Sequence, residues 1–220
     1  MKRRLIQIAA ILVVLVAAFG VWVAIDLNRP YKVDIRAFDP DEVARLDTAM
    51  WRSYYNRDRV KLFSQLSDLL EGQFHFPLWR RQRVAWYAAK AAFVFKDGKN
   101  REDYEKALPD LKRFYGEIHD VSAVDFNVDD AARLELEWWI VHRQREKHAA
   151  GDLSKALADS AAVVYGVPSA TLKEYGDLRA AAVEIRDNTQ AAGGVTDADW
   201  QHIDELLHRS WASLYKAVHK

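Results

Sequence analysis

Hydrophobic residues dominate one short stretch of this chain and are rationed everywhere else. Behind Lys2-Arg3-Arg4, an apolar run extends from Leu5 to Ile25, broken only by Gln7 and Gly20. Twenty-one helical residues at ~1.5 Å each reach roughly 31 Å, about one hydrocarbon core. The basic flank favours an N-terminus left in the cytoplasm. A cleaved secretory signal is the rival reading, but its apolar region is usually about 7–15 residues long and ends at small residues. Ala18-Phe19-Gly20 is a poor site of that kind, and the run continues through Val21-Trp22-Val23-Ala24-Ile25, so the expectation is a retained single span. Gly20 and Ala24 form a small-xxx-small pair, which would allow weak self-association of spans, but small residues are common in membrane helices and that plainer reading is preferred.

Beyond residue 25 the pattern changes to helical periods. Residues 26–38 carry Pro30 and no sustained period, and read as a linker. Asp39-Pro40-Asp41-Glu42 then places a cap, a proline at the first helical position and an acid three residues after the cap. The helix it opens runs to about Tyr55, with a stripe of Val43, Leu46, Met50 and Tyr54. Further helices are expected over about 58–72, from Pro77 to about 96, and from Asn100 to 118 with Pro109 kinking or splitting it. Asn127 with Asp130 caps another to about His148. Gly151-Asp152 opens one ending near Gly166-Val167-Pro168, and Ser169 one ending near Gln190. After Gly193-Gly194, Thr196 with Asp199 caps the last, whose stripe of Trp200, Ile203, Leu207, Trp211, Leu214 and Val218 keeps a clean helical period. No segment reads as a strand.

The segments Asp103–Asp110 and Asp152–Asp159 share Asp, Lys, Ala, Leu and Asp at an offset of 49 residues. Gly151, Leu153, Ala156 and Pro168 also fall on the spacing of the second half of a tetratricopeptide repeat, while Ile140, Arg143, Gln144 and Lys147 occupy the positions where its first half needs Trp, Leu, Gly and Tyr. The expected fold is therefore all-α: one N-terminal transmembrane helix plus a soluble bundle of about seven helices, arranged as stacked hairpins only loosely tetratricopeptide-like. The expected division is a basic cytoplasmic tail (1–4), a transmembrane helix (5–25), a linker (26–38) and an all-helical extracytoplasmic domain (39–220).

Composition narrows function mostly by exclusion. The chain has no cysteine, which excludes disulfides and thiolate metal sites. Its 32 basic and 32 acidic residues balance, and with Lys2, Arg3 and Arg4 set aside the 29 that remain face 32 acids. That is not the charge of a nucleic-acid binder. Eight tryptophans and few glycines and prolines suit a real core made of long helices. There is no Gly-x-Ser-x-Gly, phosphate-binding glycine loop or His-Glu-x-x-His, and no cofactor is expected.

Three groups of polar residues are worth following. Glu205-Leu-Leu-His208 matches one Glu-x-x-His element of carboxylate-bridged di-iron bundles, but a site needs two, and at ~100° per residue these side chains point away from the apolar face. In the helix after Asn127, Leu134, Trp138 and Val141 line one side and Leu136, Trp139 and Ile140 the other, which predicts the most buried helix of the domain. Glu135 and His142 share a seam between those sides, and Glu137 lies near the other seam. Asp47 falls within the stripe of its own helix. Buried acids need partners, and Arg52, Arg57, Arg80, Arg81 and Arg83 are the candidates by position. The functional reading of Asp47, Glu135, Glu137 and His142 is an acid/histidine site for acid–base or metal chemistry; the structural reading is ion pairing that fixes helix register, and it is preferred. Finally, Arg52, Arg57, Arg59, Lys61, Arg80, Arg81 and Arg83 interleave with Trp51, Tyr54, Tyr55 and Trp79, a surface for lipid headgroups or an acidic partner, or else Arg stems covering aromatic core.

Ala91-Ala-Phe-Val-Phe-Lys-Asp-Gly98, Ala107-Leu-Pro-Asp-Leu111 and Leu134-Glu-Leu-Glu-Trp-Trp139 resemble runs in uncharacterised bacterial proteins with an N-terminal membrane anchor and an all-helical domain. The resemblance implies no activity, cofactor or site residue. The sequence thus points to a membrane-tethered helical binding or scaffolding protein of the bacterial envelope, held in the inner (cytoplasmic) membrane through Leu5–Ile25, with its C-terminal domain outside the cytoplasm and a protein partner. The alternative is a metal-binding protein or enzyme using the Glu/His/Asp cluster.

Overall fold

The computed structural model describes residues 2–220, so Met1 of the expected basic tail lies outside the described residues. The chain is all-α. Helix α1 (Lys2–Asn28) is long and apolar enough to cross a membrane, and none of its residues is buried against the rest of the chain. It takes in Lys2–Arg4 at one end and Asp26–Asn28 at the other, so the helix outruns the apolar stretch on both sides. The remaining helices are α2 (Pro40–Tyr55), α3 (Arg59–Phe74), α4 (Leu78–Asp97), α5 (Arg101–Glu105), α6 (Leu108–Val121), α7 (Val128–Arg143), α8 (Asp152–Tyr165), α9 (Lys173–Ala191) and α10 (Asp197–Val218).

Local capping chemistry sets most of these boundaries. Asp39, Asp58, Asn100, Asn127 and Thr196 each accept a hydrogen bond from a backbone N–H in the first turn of the helix that follows. Thr196 and Asp199 form a complete capping box. Pro109 does split its segment: the chain turns at Lys106–Ala107, and α6 restarts with the proline in its first turn, where a missing N–H costs nothing. The 49-residue echo therefore aligns a broken pair, α5 and the start of α6, with the single continuous helix α8.

From α2 onward each long helix packs on the next in sequence, with α4 passing over the short α5 to α6, and α10 returns to pack on α2; α1 packs on α4. The helices thus close a ring around one large core, in which Val43, Leu70, Phe76, Val84, Leu111, Ile118, Leu172 and Leu214 are almost wholly excluded from solvent. A second, smaller cluster of Leu178, Ala182, Trp200, Ile203, Leu206 and Leu207 joins α9 and α10, with Trp51 and Tyr55 of α2 against it. At the α8–α9 crossing, Gly176 is required: a Cβ there would stand 2.2 Å from the Ser154 carbonyl oxygen.

The segment after α1, expected as a linker, is part of the core. Ile35 is fully buried and Phe38 nearly so, packed against Tyr165, Trp211 and Tyr215. Val33 bridges to the end of α6, donating to the Val121 carbonyl at 2.8 Å and accepting from the Ala123 N–H at 2.7 Å. Two further expectations need correction. Tyr54, placed in the α2 core stripe, is 49% exposed: α2 ends one residue later, and it is Ser53 and Tyr55 of its last turn that face the packed side. Helix α7 is not the most buried helix. It stops at Arg143, and both Trp138 and Trp139 are only half-buried, whereas more than half of α8 is fully buried.

Candidate functional site

The four acid and histidine candidates fall into separate places. Asp47, 1% exposed, accepts from Arg179 Nη1 at 2.6 Å and from Trp211 Nε1 at 2.9 Å. The Arg179 guanidinium lies among the rings of Trp51, Tyr175 and Trp211. Burial there works against its charge, but Asp47 outweighs the penalty and leaves the guanidinium held even more firmly protonated than usual. Glu135 has no arginine. Its Oε2 accepts from the Tyr115 hydroxyl at 2.9 Å and the Ser160 hydroxyl at 3.1 Å, and its Oε1 accepts from Trp139 Nε1 at 3.0 Å. Burial, and then the Glu135 charge, push the Tyr115 phenol well above its ordinary value.

Glu137 sits at the surface and pairs with Arg101 at 2.8 Å. His142 turns the other way, to Asp187 at 3.0 Å, where Arg145 and Arg186 also converge. Burial alone would raise the Asp187 carboxyl; hydrogen bonds from His142 and Arg186, with the neighbouring positive charge, hold it down at about 2. Asp47, Glu135, Glu137 and His142 therefore do not form one cluster, and among the described residues no group of three His, Asp or Glu is placed to hold a metal ion. Glu205 and His202 are exposed on the outer face of α10, and His208 contacts Asp41 and Asp204.

The expected arginine partners are engaged elsewhere. Arg52 covers the Trp200 ring. Arg81 pairs with Glu71. Arg80, 6% exposed, reaches Glu117 at 2.8 Å and stacks on Tyr31 and Phe76. Arg83 reaches the same Glu117, also at 2.8 Å. Arg57 stands in the α2–α3 turn in the left-handed region. Which helices become neighbours in space decides these pairings: Arg81, Arg80 and Arg83 are taken by α3 and α6, while Asp47 and Arg179 are brought together because α9 and α10 fold back beside α2.

The most specific polar geometry joins α1 to the domain. Pro77 precedes α4 and has no side chain able to cap it. Asp26, from the last turn of α1, supplies the missing acceptor: its Oδ2 takes the Trp79 N–H at 2.6 Å and the Arg80 N–H at 3.3 Å. In return Arg83 Nη2 donates to the Leu27 carbonyl at 3.1 Å, at the C-terminal end of α1. An acid at one helix N-terminus and a cation at the other helix C-terminus are each favoured by the helix dipole. Trp79 also stacks edge-on against Phe19 and Trp22 of α1, with ring centroids 5.7 and 6.0 Å away. None of these contacts was read from the sequence. Asp26 at the polar end of the apolar run, with an uncapped Pro77 ahead of a helix, was the signal available.

A shallow open groove of about 470 Å³ is lined by Leu134 of α7, by Asp159, Ala162 and Val163 of α8 and by Gly166–Ser169; its one carboxylate, Asp159, is taken up by Lys155 and Ser169. Comparison of the chain with protein-family models, with curated proteins and with solved structures finds no match.

Proposed function

We propose that this chain is a membrane-tethered helical binding or scaffolding protein of the bacterial envelope. Helix α1 is retained as a single span of the inner membrane, the basic N-terminus stays in the cytoplasm, and the helical domain stands outside it, where it engages a protein partner and no nucleic acid. The observation that carries the reading is the joint between α1 and α4. A helix none of whose residues is buried against the domain is nonetheless fixed to it by Asp26 and Arg83 capping each other's helices. A segment destined for removal has no need of such a joint. The internal polar groups support scaffolding, since Asp47, Glu135 and Asp187 are each consumed by donors from the chain itself.

The test is to express the full chain in bacteria. The expected result is that it stays with the membrane fraction after alkaline extraction, keeps an N-terminus at Met1 or Lys2, and has a domain digested by protease added outside the inner membrane. A mature chain beginning after Gly20, or one that is freely soluble, refutes the tether.

A further inference from the structure

Outside α1, the large apolar side chains exposed among the described residues are Tyr54, Val60, Leu78, Trp86 and Phe93. All five belong to the end of α2, the start of α3, and α4. On α4, Trp79, Trp86 and Phe93 recur every seven residues, so they project within about 40° of one another along roughly 21 Å of helix. Trp86 is 57% and Phe93 46% exposed. Arg59 at the start of α3 lies over the Phe93 ring, which places the first turn of α3 beside the far end of this row. Arg57, Arg59 and Lys61 are exposed there and, among the described residues, take part in no ion pair. The outer face of α10 differs: its exposed positions include Gln201, His202, Glu205 and Arg209.

We infer that the face made by α4 and the first turn of α3 lies on the bilayer that α1 enters, with Trp79, Trp86 and Phe93 at headgroup level and Arg57, Arg59 and Lys61 against anionic lipid phosphates. This rests on the reading of α1 as a retained span. Continuity carries it. Trp79 heads the row and is already packed on Phe19 and Trp22 of α1, so whatever covers the row must begin where α1 leaves the membrane, and the bilayer is the surface present at that point. Amphipathic aromatic rings beside cations are also the composition of an interfacial belt.

The chain has no cysteine, so single-site labels can be placed on the full-length protein. Nitroxides at Trp86→Cys, Phe93→Cys, Val13→Cys and Glu205→Cys are compared in vesicles of zwitterionic lipid, with and without an anionic lipid, by accessibility to oxygen and to a water-soluble nickel chelate. Circular dichroism checks that each variant is folded. The expected result is Val13 in the hydrocarbon, Glu205 in water, and nickel accessibility at 86 and 93 several-fold below that at 205 while oxygen access is kept. Protection should deepen with anionic lipid and be lost when Arg57, Arg59 and Lys61 are all changed to Glu. Nickel access at 86 and 93 equal to that at 205, with Val13 still in lipid, overturns the inference and leaves the tether standing. Labels shielded from both nickel and oxygen also overturn it, by indicating a protein occupant such as a second copy. A water-exposed Val13 overturns the tether, and this inference with it.

Discussion

Replacing Asp47 by Asn tests whether the ring of helices is locked by its buried ion pair. The carboxylate is 1% exposed, and its Oδ2 serves both Arg179 and Trp211. An amide oxygen in the place of Oδ2 can still accept from both, but it cannot neutralise a guanidinium enclosed by Trp51, Tyr175 and Trp211. Removing one partner of a buried pair costs about 3–5 kcal/mol, because the other charge is left uncompensated. For a chain of this size that corresponds to a fall in Tm of roughly 6–20 °C. Equilibrium unfolding of the full-length protein in mild detergent, followed by tryptophan fluorescence, gives the difference directly. The double variant Asp47→Leu with Arg179→Met separates charge from shape: it removes both charges and should be more stable than Asp47→Asn, since an apolar pair of similar volume often replaces a buried ion pair at little cost. If Asp47→Asn lies within about 0.5 kcal/mol of wild type, the range of ordinary surface changes, the pair does not lock α2 to α9 and α10.

Glu135→Ala strands the buried Tyr115 and Ser160 hydroxyls and the Trp139 indole and should cost about 2–3 kcal/mol, with Glu135→Gln closer to wild type in the same unfolding assay. Asp187 is depressed from 3.8 to about 2 in the folded chain, so its stabilisation is fully present above about pH 4. It should be lost as pH falls through that window, by about 1–2 kcal/mol after allowance for solvent screening; acid titration of stability should lose this phase in Asp187→Asn. A chain starting at Arg36 lacks Val33 and the fully buried Ile35 and should unfold about 2–5 kcal/mol more easily than one starting at Arg29, as measured by denaturant midpoints.

What could be read from the sequence was what neighbouring residues decide. The caps at Asp39, Asn100, Asn127 and Thr196 involve residues two or three apart, and all four are made. The α10 stripe is wholly buried from Trp200 to Val218 because its six members share one face whatever the neighbour is. Burial of α7 is not legible because apolar residues on two sides do not tell how many helices will cover them; α7 packs mainly on α6 and α8, with the short α5 at its edge. Ion-pair partners are not legible because they depend on which helices become neighbours in space, and for Asp47 and Arg179 on closure of the ring. The first turn of the domain was missed for a different reason. Tyr31, Val33 and Ile35 alternate with Lys32, Asp34 and Arg36, a short period-two pattern, and this stretch does enter the core with alternate residues inward.

That buried entry segment also decides how α1 is held. A span joined to its domain by a loose chain would leave the domain free to turn, and docking would have to offset the entropy of ordering each linker residue, about 1–2 kcal/mol apiece. Here Val33, Ile35 and Phe38 are fixed by the core itself, so that cost is already met by folding. Few residues remain between Asn28 and Tyr31 to be ordered. Against this stand the Asp26 and Arg83 caps, about 0.3–1 kcal/mol each and up to ~2 where partly buried. The edge-on contacts of Trp79 with Phe19 and Trp22 add about 0.5–1.5 kcal/mol apiece. The balance favours a docked joint, in which α1 and α4 keep a fixed relation. On the reading proposed above, the orientation of the domain toward the bilayer is then set by the side chains of Asp26, Trp79 and Arg83 and not by the length of a linker.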